Sequence, residues 1–191
     1  MSLLQTRRLV LVPATATHLY ADLKSRAALG EALNVEVPTS WPPELYDEDA
    51  IRYALSLVLD HPNQTEWGFH YVLRRPASSE ATLLVGTGGF KGAPDEAGSV
   101  ELGYGIVPEH QRNGYATEAV CGLVALAFAS PQVRTVVGQT LSHLSASIRV
   151  LEKAGFRYVG AGNDPFAPAG EQVIRYALSR DAFSAGVAAA Q

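Results

Sequence analysis

The sequence predicts one domain of the mixed α+β class, and two observations support that class. Helical and strand-like hydrophobic patterns follow one another in an irregular order, without the strict alternation of a doubly wound sheet. The length of 191 residues, with 47% hydrophobic and 18% charged residues, is typical of a single compact unit. These patterns predict about seven strands and about four helices. We place the domain at residues 1–182 and expect residues 183–191 to be a frayed tail.

The chain opens with a predicted strand that is followed by two predicted helices. Residues 8–13 are rich in leucine and valine and stop at a proline, which is typical of a first strand. Thr15 or Thr17 can cap a helix that extends to about Leu29. Asp47 can cap a second helix, because the apolar residues that follow it recur at helical spacing.

Three strands are predicted in the middle of the chain. Residues 68–74 and 82–90 lie on either side of a turn that contains proline and serine, which indicates an antiparallel hairpin. Residues 99–107 form a third strand with one apolar face. The opposite face of this strand is nearly bare, and its residues are Glu101, Gly103, Gly105 and Val107.

Helices and strands follow each other in the last part of the chain. Apolar residues at intervals of three and four predict a helix over 116–131. A short strand at 135–140 precedes a second helix at 145–154, which ends at a glycine. Two final strands, at 156–159 and 172–178, flank a loop rich in glycine, proline, asparagine and aspartate.

The composition excludes several classes of function. The formal net charge is −4 and the basic residues are scattered, so the chain lacks the positive surface that nucleic-acid binding requires. No apolar stretch is long enough for a membrane span, and we expect a cytoplasmic protein without a membrane partner. The five histidines lack metal-ligand spacing, so we expect no metal. Cys121 is the only cysteine, which excludes an intrachain disulfide, and we expect it to pack in the core.

Residues 111–116 occupy a position that favours anion binding, between a strand that ends at Val107 and a helix. The start of a helix exposes unpaired N–H groups and a partial positive charge, which together can hold a diphosphate. Gly114 permits close approach, and Arg112 can add a charge-assisted contact. The alternative is a plain loop that leads into an amphipathic helix. The glycine run at 86–92 lacks the spacing of a dinucleotide-binding or P-loop motif, which disfavours a nicotinamide oxidoreductase.

Two blocks of the sequence resemble the GNAT superfamily of N-acetyltransferases. Residues 101–119 resemble its acetyl-CoA motif, whose core, Gln/Arg-x-x-Gly-x-Gly/Ala, matches residues 111–116. Residues 147–156 are similar to the second family block, and the spacing between the blocks also fits. Residues 6–13 and the closing strands are similar to the ribosomal-protein alanine acetyltransferase (RimJ/RimL-like) branch, so the resemblance spans nearly the whole chain. Only residues 15–62 match weakly.

This resemblance implies a GNAT-like splayed sheet, mixed but mostly antiparallel, with acetyl-CoA as cosubstrate. The pantetheine arm would lie between two parted strands, and Ile106 and Val107 would offer backbone groups to it. The two glycines that follow Glu101 at alternate positions would leave room for the thioester and the amine. The residues implied to surround the pyrophosphate are Gln111, Arg112, Asn113, Gly114, Tyr115, Ala116 and Thr117.

Acetyl transfer to an amine needs a proton acceptor and a proton donor. Glu101 is the candidate general base, directly or through water, and the alternative is a solvated strand glutamate. Many relatives use a tyrosine as the acid at the position of Leu151 here; the RimJ/RimL-like branch uses a serine that corresponds to Ser147. Ser147 could instead be a first-turn cap. Leu144 replaces an asparagine that usually precedes this serine by three residues.

The leading hypothesis is an N-acetyltransferase that moves the acetyl group to a protein N-terminus or a small-molecule amine by direct attack in a ternary complex. The alternative is a non-catalytic acyl-CoA-binding module, because Leu144 and Leu151 occupy positions that are usually polar. The weakly matched segment is expected to shape the acceptor pocket through Trp41 and Tyr46, although Trp41 could equally be core. A homodimer is plausible, since edge strands in this family often pair between subunits.

Overall fold

The computed structural model of the chain describes residues 3–76, 81–165 and 167–189. The strands are β1 (Leu4–Gln5), β2 (Leu9–Pro13), β3 (Phe69–Arg74), β4 (Leu83–Phe90), β5 (Ser99–Ile106), β6 (Thr135–Leu141), β7 (Arg157–Ala161) and β8 (Val173–Ser179). The helices are α1 (Ala16–Lys24), α2 (Arg26–Leu33), α3 (Glu48–Asp60), α4 (Tyr115–Ala129), α5 (Ser145–Lys153) and α6 (Arg180–Ala189). Among the described residues, no helix combines the length and the apolar character needed to cross a bilayer.

The strands that the structure describes form one eight-stranded sheet in the order β1-β2-β3-β4-β5-β6-β8-β7. Strands β5 and β6 are parallel, and the other described neighbours in the sheet are antiparallel. The predicted α+β class and the mostly antiparallel mixed sheet are therefore confirmed. Strand β1 and helix α6 were not predicted, and the segment expected to be a frayed tail is helical as far as Ala189.

The predicted first helix is two helices that meet at Ser25. Thr15 caps α1, with its side chain accepting a hydrogen bond from the His18 N–H. Ser25 has extended φ and ψ, and its N–H donates to the Ala21 carbonyl at the end of α1. Its hydroxyl also accepts from the Ala28 N–H at the start of α2. One serine therefore satisfies backbone groups of both helix ends, which explains a break that hydrophobic periodicity alone does not reveal.

Helices cover both faces of the sheet and bury a separate apolar cluster on each. Helix α4 packs on one face, where Leu123 and Val124 are buried against β2, β4 and β5. Helices α1, α2 and α3 cover the other face, with Leu19 and Leu55 among the buried residues. Cys121 is exposed on α4, so the expectation that it packs in the core is wrong. Because α4 is apolar or small nearly all round, its periodicity does not identify the buried face there.

The sheet opens between β5 and β6. These strands pair only over residues 99–102 of β5 and 135–138 of β6. Beyond that point β5 continues to Ile106 and β6 to Leu141 without pairing to each other. The separation matches the splayed sheet implied by the resemblance, and it places a cleft in the middle of the domain.

Candidate active site

The cleft between the separated strands has a volume of about 700 Å³. Its walls come from β4, β5, β6, α3, α5, the loop before α3, the turn before α4 and the loop between β7 and β8. Gly103 lies on the wall formed by β5, and a Cβ atom placed there would have no neighbour within 4 Å. The bare strand face predicted from the sequence is therefore next to open space at Gly103, whereas at Gly105 a Cβ atom would lie 3.1 Å from the Pro43 Cβ atom.

Tyr104 and Ile106 present their backbone groups to the opening. The Val107 N–H donates to the Val85 carbonyl of β4 at 3.1 Å, and the Val107 carbonyl accepts from the His110 N–H at 3.0 Å. Successive strand residues direct their backbone groups to opposite edges, so the alternate residues Tyr104 and Ile106 share the edge that faces away from β4. The geometry favours these two over the predicted pair of Ile106 and Val107, because both backbone groups of Val107 are used within the fold.

The Gln111 side chain spans the start of this edge. Its amide donates to the Ile106 carbonyl at 3.0 Å. The Ile106 carbonyl therefore already has a partner. Among the described residues, the loops and turns around the cleft offer no acceptor to the Ile106 N–H. Gln111 thus fixes the turn to the end of β5 and leaves the edge from Tyr104 to the Ile106 N–H facing the cleft.

The turn before α4 has a backbone geometry that suits an anion. Gly114 caps the helix with φ of 78°, and Arg112 has φ of 62°, so two residues of the turn adopt the left-handed conformation. Within the described residues, no acceptor takes a hydrogen bond from the N–H groups of residues 112–117. The Asn113 side chain donates to the His110 and Gln111 carbonyls, so it braces the turn. A turn of this kind with free N–H groups at a helix start suits a diphosphate.

Arg8 lies beside this turn, and the sequence reasoning did not identify it. Its guanidinium pairs with Glu118 through an Nε to Oε2 distance of 2.7 Å and stands 4.7 Å from the centroid of the Tyr115 ring. A Cβ atom at Gly114 would lie 3.4 Å from the Arg8 Nη2 atom. Partial burial alone would raise the pKa of Glu118, but hydrogen bonds from Thr6 and Arg8 outweigh it and lower the pKa. Glu118 therefore stays ionised and holds a cation at the anion site.

Ser147 is hydrogen-bonded to Tyr104 across the cleft. The Tyr104 hydroxyl lies 2.9 Å from the Ser147 Oγ and donates to the Ser147 carbonyl at 3.0 Å. Burial raises the pKa of Tyr104 to about 12, so the phenol remains protonated at neutral pH. The described N-cap of α5 is Leu144, which makes no side-chain cap bond. Ser147 lies inside the first turn and lines the cleft, where its hydroxyl can serve as a proton donor.

The Glu101 carboxylate is held in a charged cluster. Lys91 Nζ lies 2.6 Å from Glu101 Oε1 and 2.8 Å from Asp164 Oδ2. The Gln139 amide donates to Glu101 Oε2 at 2.9 Å. Burial alone would lower the pKa of Lys91, but hydrogen bonds and charges from Asp164 and Glu101 outweigh it and raise the pKa. Lys91 is therefore a permanent cation between two carboxylates, a partnership that no local sequence pattern signals.

Glu101 is one layer behind the cleft surface. Lys91, Gln139 and Asp164 are among the described lining residues, and Glu101 is not. An incoming amine would therefore meet the partners of Glu101 before it meets the carboxylate. The solvated strand glutamate that was the alternative does not describe this residue either, since Glu101 has two polar side chains bound to it.

Trp41 and Tyr46 take different positions. Tyr46 lines the cleft and stacks on Phe69 with a centroid separation of 4.7 Å. Trp41 is absent from the described lining, and its indole N–H donates to Asp22 at 2.8 Å. Asp22 also accepts from the hydroxyls of Tyr46 and Tyr71, each at 3.0 Å. Trp41 therefore supports Tyr46 from behind instead of forming the pocket wall.

Comparison with known proteins identifies the family. The sequence model of the acetyltransferase (GNAT) domain family matches residues 8–157 of this chain. The chain belongs to the GNAT acetyltransferase family. The uncharacterized N-acetyltransferases YjdG and YoaA of Bacillus subtilis (strain 168) are 30% identical over 156 residues and 29% identical over 160 residues. These alignments cover 82% of this chain and 90% of YjdG, and 83% of this chain and 84% of YoaA.

The fold is also similar to that of solved GNAT structures. RimL, the ribosomal L7/L12 α-N-protein acetyltransferase in complex with coenzyme A, superposes with a TM-score of 0.63 at 18% identity. The superposition covers 95% of this chain and 99% of RimL. The chain is thus an acyltransferase with a GNAT fold over nearly its whole length. Its predicted membership of this family is confirmed.

Proposed function

We propose that this GNAT acetyltransferase moves the acetyl group of acetyl-CoA to a primary amine by direct attack, with both substrates bound together. One observation carries the proposal. A single cleft joins the free N–H groups of residues 112–117 to the hydrogen-bonded pair of Tyr104 and Ser147. A diphosphate bound at the turn would let the rest of the cosubstrate extend along β5 towards that pair.

Acetyl-CoA would be held mainly by backbone groups. The N–H groups of residues 112–117 suit its diphosphate, and the Arg8 guanidinium supplies a positive charge beside them. The edge of β5 at Tyr104 and Ile106 suits the amides of the pantetheine arm, which could pair with it as an added strand does. The side chains of Gln111 and Asn113 contribute by shaping the turn.

The transfer needs two proton movements, which we assign to Ser147 and Glu101. The nitrogen of the neutral amine bonds to the thioester carbonyl carbon while the carbon–sulfur bond breaks. Ser147 gives its proton to the departing sulfur, and the Tyr104 hydroxyl, protonated at neutral pH, can turn from the Ser147 carbonyl to donate to the Ser147 oxygen as it does so. Glu101 takes the proton that the nitrogen loses, through a water molecule because Lys91 and Gln139 cover the carboxylate. Glu101 then releases its proton to solvent and solvent returns one to Ser147, so the enzyme is restored and the products are an acetamide and a free thiol.

The test is release of free thiol by purified protein with acetyl-CoA and a panel of primary amines and peptides. We expect thiol release above the hydrolysis background and formation of the acetylated amine in equal amount. No acetylated product with any member of a broad panel would reject the proposal.

Two substitutions separate binding from transfer. Glu101→Gln is expected to lower kcat by about 100-fold or more, in line with the loss of a general base, and to leave the affinity for CoA unchanged. Glu152→Gln, which alters an exposed glutamate on α5, is the matched control. Equal kcat values for Glu101→Gln and Glu152→Gln would remove Glu101 from the mechanism.

The predicted homodimer remains a prediction with a defined surface for its test. Strand β7 is at one edge of the sheet, and Tyr158 and Val159 on it are exposed. Equilibrium sedimentation of the protein and of Val159→Asp would test it: a dimer through this edge predicts dissociation of the variant, and a monomeric parent protein contradicts it.

A further inference from the structure

The cleft has an apolar wall opposite the sheet opening. One side of α3 contributes Tyr53, Ala54 and Leu57 to the cleft lining, and the sheet contributes Phe69 and Phe90. Phe69 is one ring of an aromatic group in which it stacks with Tyr46 and meets Tyr71 edge to face. This end of the cleft can therefore accept a ring or a branched chain.

The polar atoms of this wall are already bonded within the fold. The Tyr46 hydroxyl donates to Asp22 at 3.0 Å. The Tyr53 hydroxyl donates to the Lys91 carbonyl at 3.0 Å. Since these hydroxyls have partners, the tyrosines offer mainly carbon surface to a ligand. If a peptide were bound there, its backbone N–H and carbonyl groups could not hydrogen-bond to these two hydroxyls. Burying backbone groups without hydrogen-bond partners costs free energy.

The charge next to this wall favours a cation. Lys91 carries one positive charge, and its partners Glu101 and Asp164 carry two negative charges when ionised, so the cluster has a net charge of −1. Glu44, which also lines the cleft, adds another carboxylate. A substrate ammonium would balance the cluster. Next to this cluster, a substrate carboxylate would meet like charge and would find Lys91 already paired, since the arginines of the described lining, Arg112 and Arg149, lie on the turn before α4 and on α5.

Two loops are fastened across the sides of this end of the cleft. Asp164 is bound by Lys91, and the neighbouring Asn163 N–H donates to the Gln139 side chain at 2.8 Å. On the other side, the Ser40 hydroxyl donates to Glu109 and links the loop before α3 to the turn after β5. These links tie both loops to the rest of the domain beside the cleft.

We infer that the acetyl acceptor is a small primary monoamine with an apolar body, aromatic or branched, and without a carboxylate. This inference rests on the proposed acetyl transfer and adds the class of acceptor. The apolar body would lie on the wall of Tyr53, Leu57 and Phe69, with its ammonium group towards the Asp164 carboxylate before deprotonation. Release of free thiol would then depend on both ends of the acceptor.

The experiment compares four acceptors: 2-phenylethylamine, phenylalanine, 1,4-diaminobutane and a short peptide that begins with alanine. Phenylalanine has the body of 2-phenylethylamine with an added carboxylate, and the diamine lacks the apolar body. We expect kcat/KM for 2-phenylethylamine to exceed each of the others by about tenfold or more, as expected for burial of a ring. A higher kcat/KM for the peptide or for phenylalanine would overturn the inference and leave the proposed acetyl transfer intact.

A matched pair of variants tests the wall itself. Leu57 lines the cleft on α3, whereas Leu59 on the same helix is 54% exposed and lies outside the described lining. Leu57→Gln should raise KM for 2-phenylethylamine about fivefold, and Leu59→Gln should leave it unchanged. Equal KM values for these two variants would contradict the placement of the acceptor.

If no acceptor in the panel is acetylated, calorimetry can still measure which of them binds. With the protein saturated by CoA, 2-phenylethylamine should bind more tightly than phenylalanine, and Leu57→Gln should weaken that binding. Binding without turnover would support the acceptor class and reject the proposed transfer. Absence of binding would overturn the acceptor class.

Discussion

The two halves of the cleft are built in different ways. The half that we propose for the cofactor consists of the β5 edge at Tyr104 and Ile106 and the turn at residues 112–117, so it comes almost entirely from one continuous stretch. The acceptor half combines the loop before α3, helix α3, the end of β4 and the loop between β7 and β8. The first half offers backbone N–H groups, and the second offers side chains.

This difference predicts different responses to substitution. A site made of backbone groups depends on conformation, so it should tolerate loss of most side chains and fail when φ and ψ change. A site made of side chains should fail when one partner of a cluster is removed. Three of the four predictions that follow test this contrast and one compares the two faces of the sheet, and they run from the largest expected effect to the smallest.

Gly114→Val should damage the cofactor half most. Gly114 has φ of 78°, a conformation that β-branched residues strongly disfavour. The turn would have to rearrange and lose charge-assisted bonds worth about 2–3 kcal/mol, which corresponds to a Kd for CoA about 30- to 150-fold higher. Calorimetric titration with CoA measures this change.

Two control variants decide whether conformation is the cause. Gly114→Asn should stay within about fivefold of the parent affinity, because asparagine adopts the left-handed region more readily. Arg112→Gln should also stay within about fivefold, since the diphosphate is held mainly by main-chain groups. If Arg112→Gln weakened binding more than Gly114→Val did, the contrast between the two halves would be wrong.

The contrast also explains what the sequence could and could not predict. The turn was predicted because its position between a strand and a helix, its glycine and its resemblance to a family motif are all visible in a short stretch of the sequence. Arg8 and Glu118 are 110 residues apart in the sequence, and their contact depends on β2 packing against α4. The positions of Lys91 and Asp164 around Glu101 likewise follow from tertiary structure. Local sequence patterns predict backbone conformation, but they do not predict which side chains from distant parts of the sequence come into contact.

The same limit affected single residues. Trp41 was expected to shape the pocket because it lies in the weakly matched segment, with a place in the core as the alternative, but nothing in the loop indicated that its N–H would bind Asp22. Val107 was paired with Ile106 by resemblance, whereas strand alternation places their backbone groups on opposite edges. The alternation was available from the sequence and is the stronger guide here.

The two faces of the sheet should respond oppositely to acid. Burial lowers the pKa of His70 in β3 to about 4 from its ordinary value of 6.5. The neutral ring therefore stabilises the fold above pH 6.5, and that stability is lost as the pH falls towards 4, by about 2 kcal/mol between pH 7 and pH 5. Chemical denaturation of the protein and of His70→Gln should show the smaller acid loss in the variant.

Asp22, on the face covered by α1 to α3, provides the opposite sign. Burial raises its pKa, although hydrogen bonds from Trp41, Tyr71 and Tyr46 oppose the rise. A raised pKa in the folded state means that its contribution is present at low pH and is lost as the pH rises. Asp22→Asn should therefore not reduce the acid loss. A reduction as large as that of His70→Gln would show that His70 is not the source.

Tyr104→Phe should lower kcat by about tenfold, because Ser147 loses the hydroxyl that positions it. KM for acetyl-CoA should change little, since the variant keeps the backbone of β5. With a pKa of about 12 for Tyr104, the pH profile of kcat should show no tyrosine ionisation up to pH 10 in the parent protein. Tyr20→Phe, at a residue that is 56% exposed, is the control. If Tyr104→Phe left kcat unchanged, Tyr104 would not position Ser147 for the reaction.

Arg8→Gln should have the smallest effect and should define how far the cofactor half departs from a purely backbone site. The variant keeps the Arg8 N–H that donates to Glu118 at 2.7 Å, so the helix start should remain in place. Loss of one partly exposed positive charge near the diphosphate should raise KM for acetyl-CoA about three- to fivefold at low salt and less at high salt. Arg7→Gln is the matched control, because Arg7 is exposed on the adjacent position. A rise of more than about 30-fold for Arg8→Gln would mean that this side chain, and not the main chain of the turn, provides most of the binding.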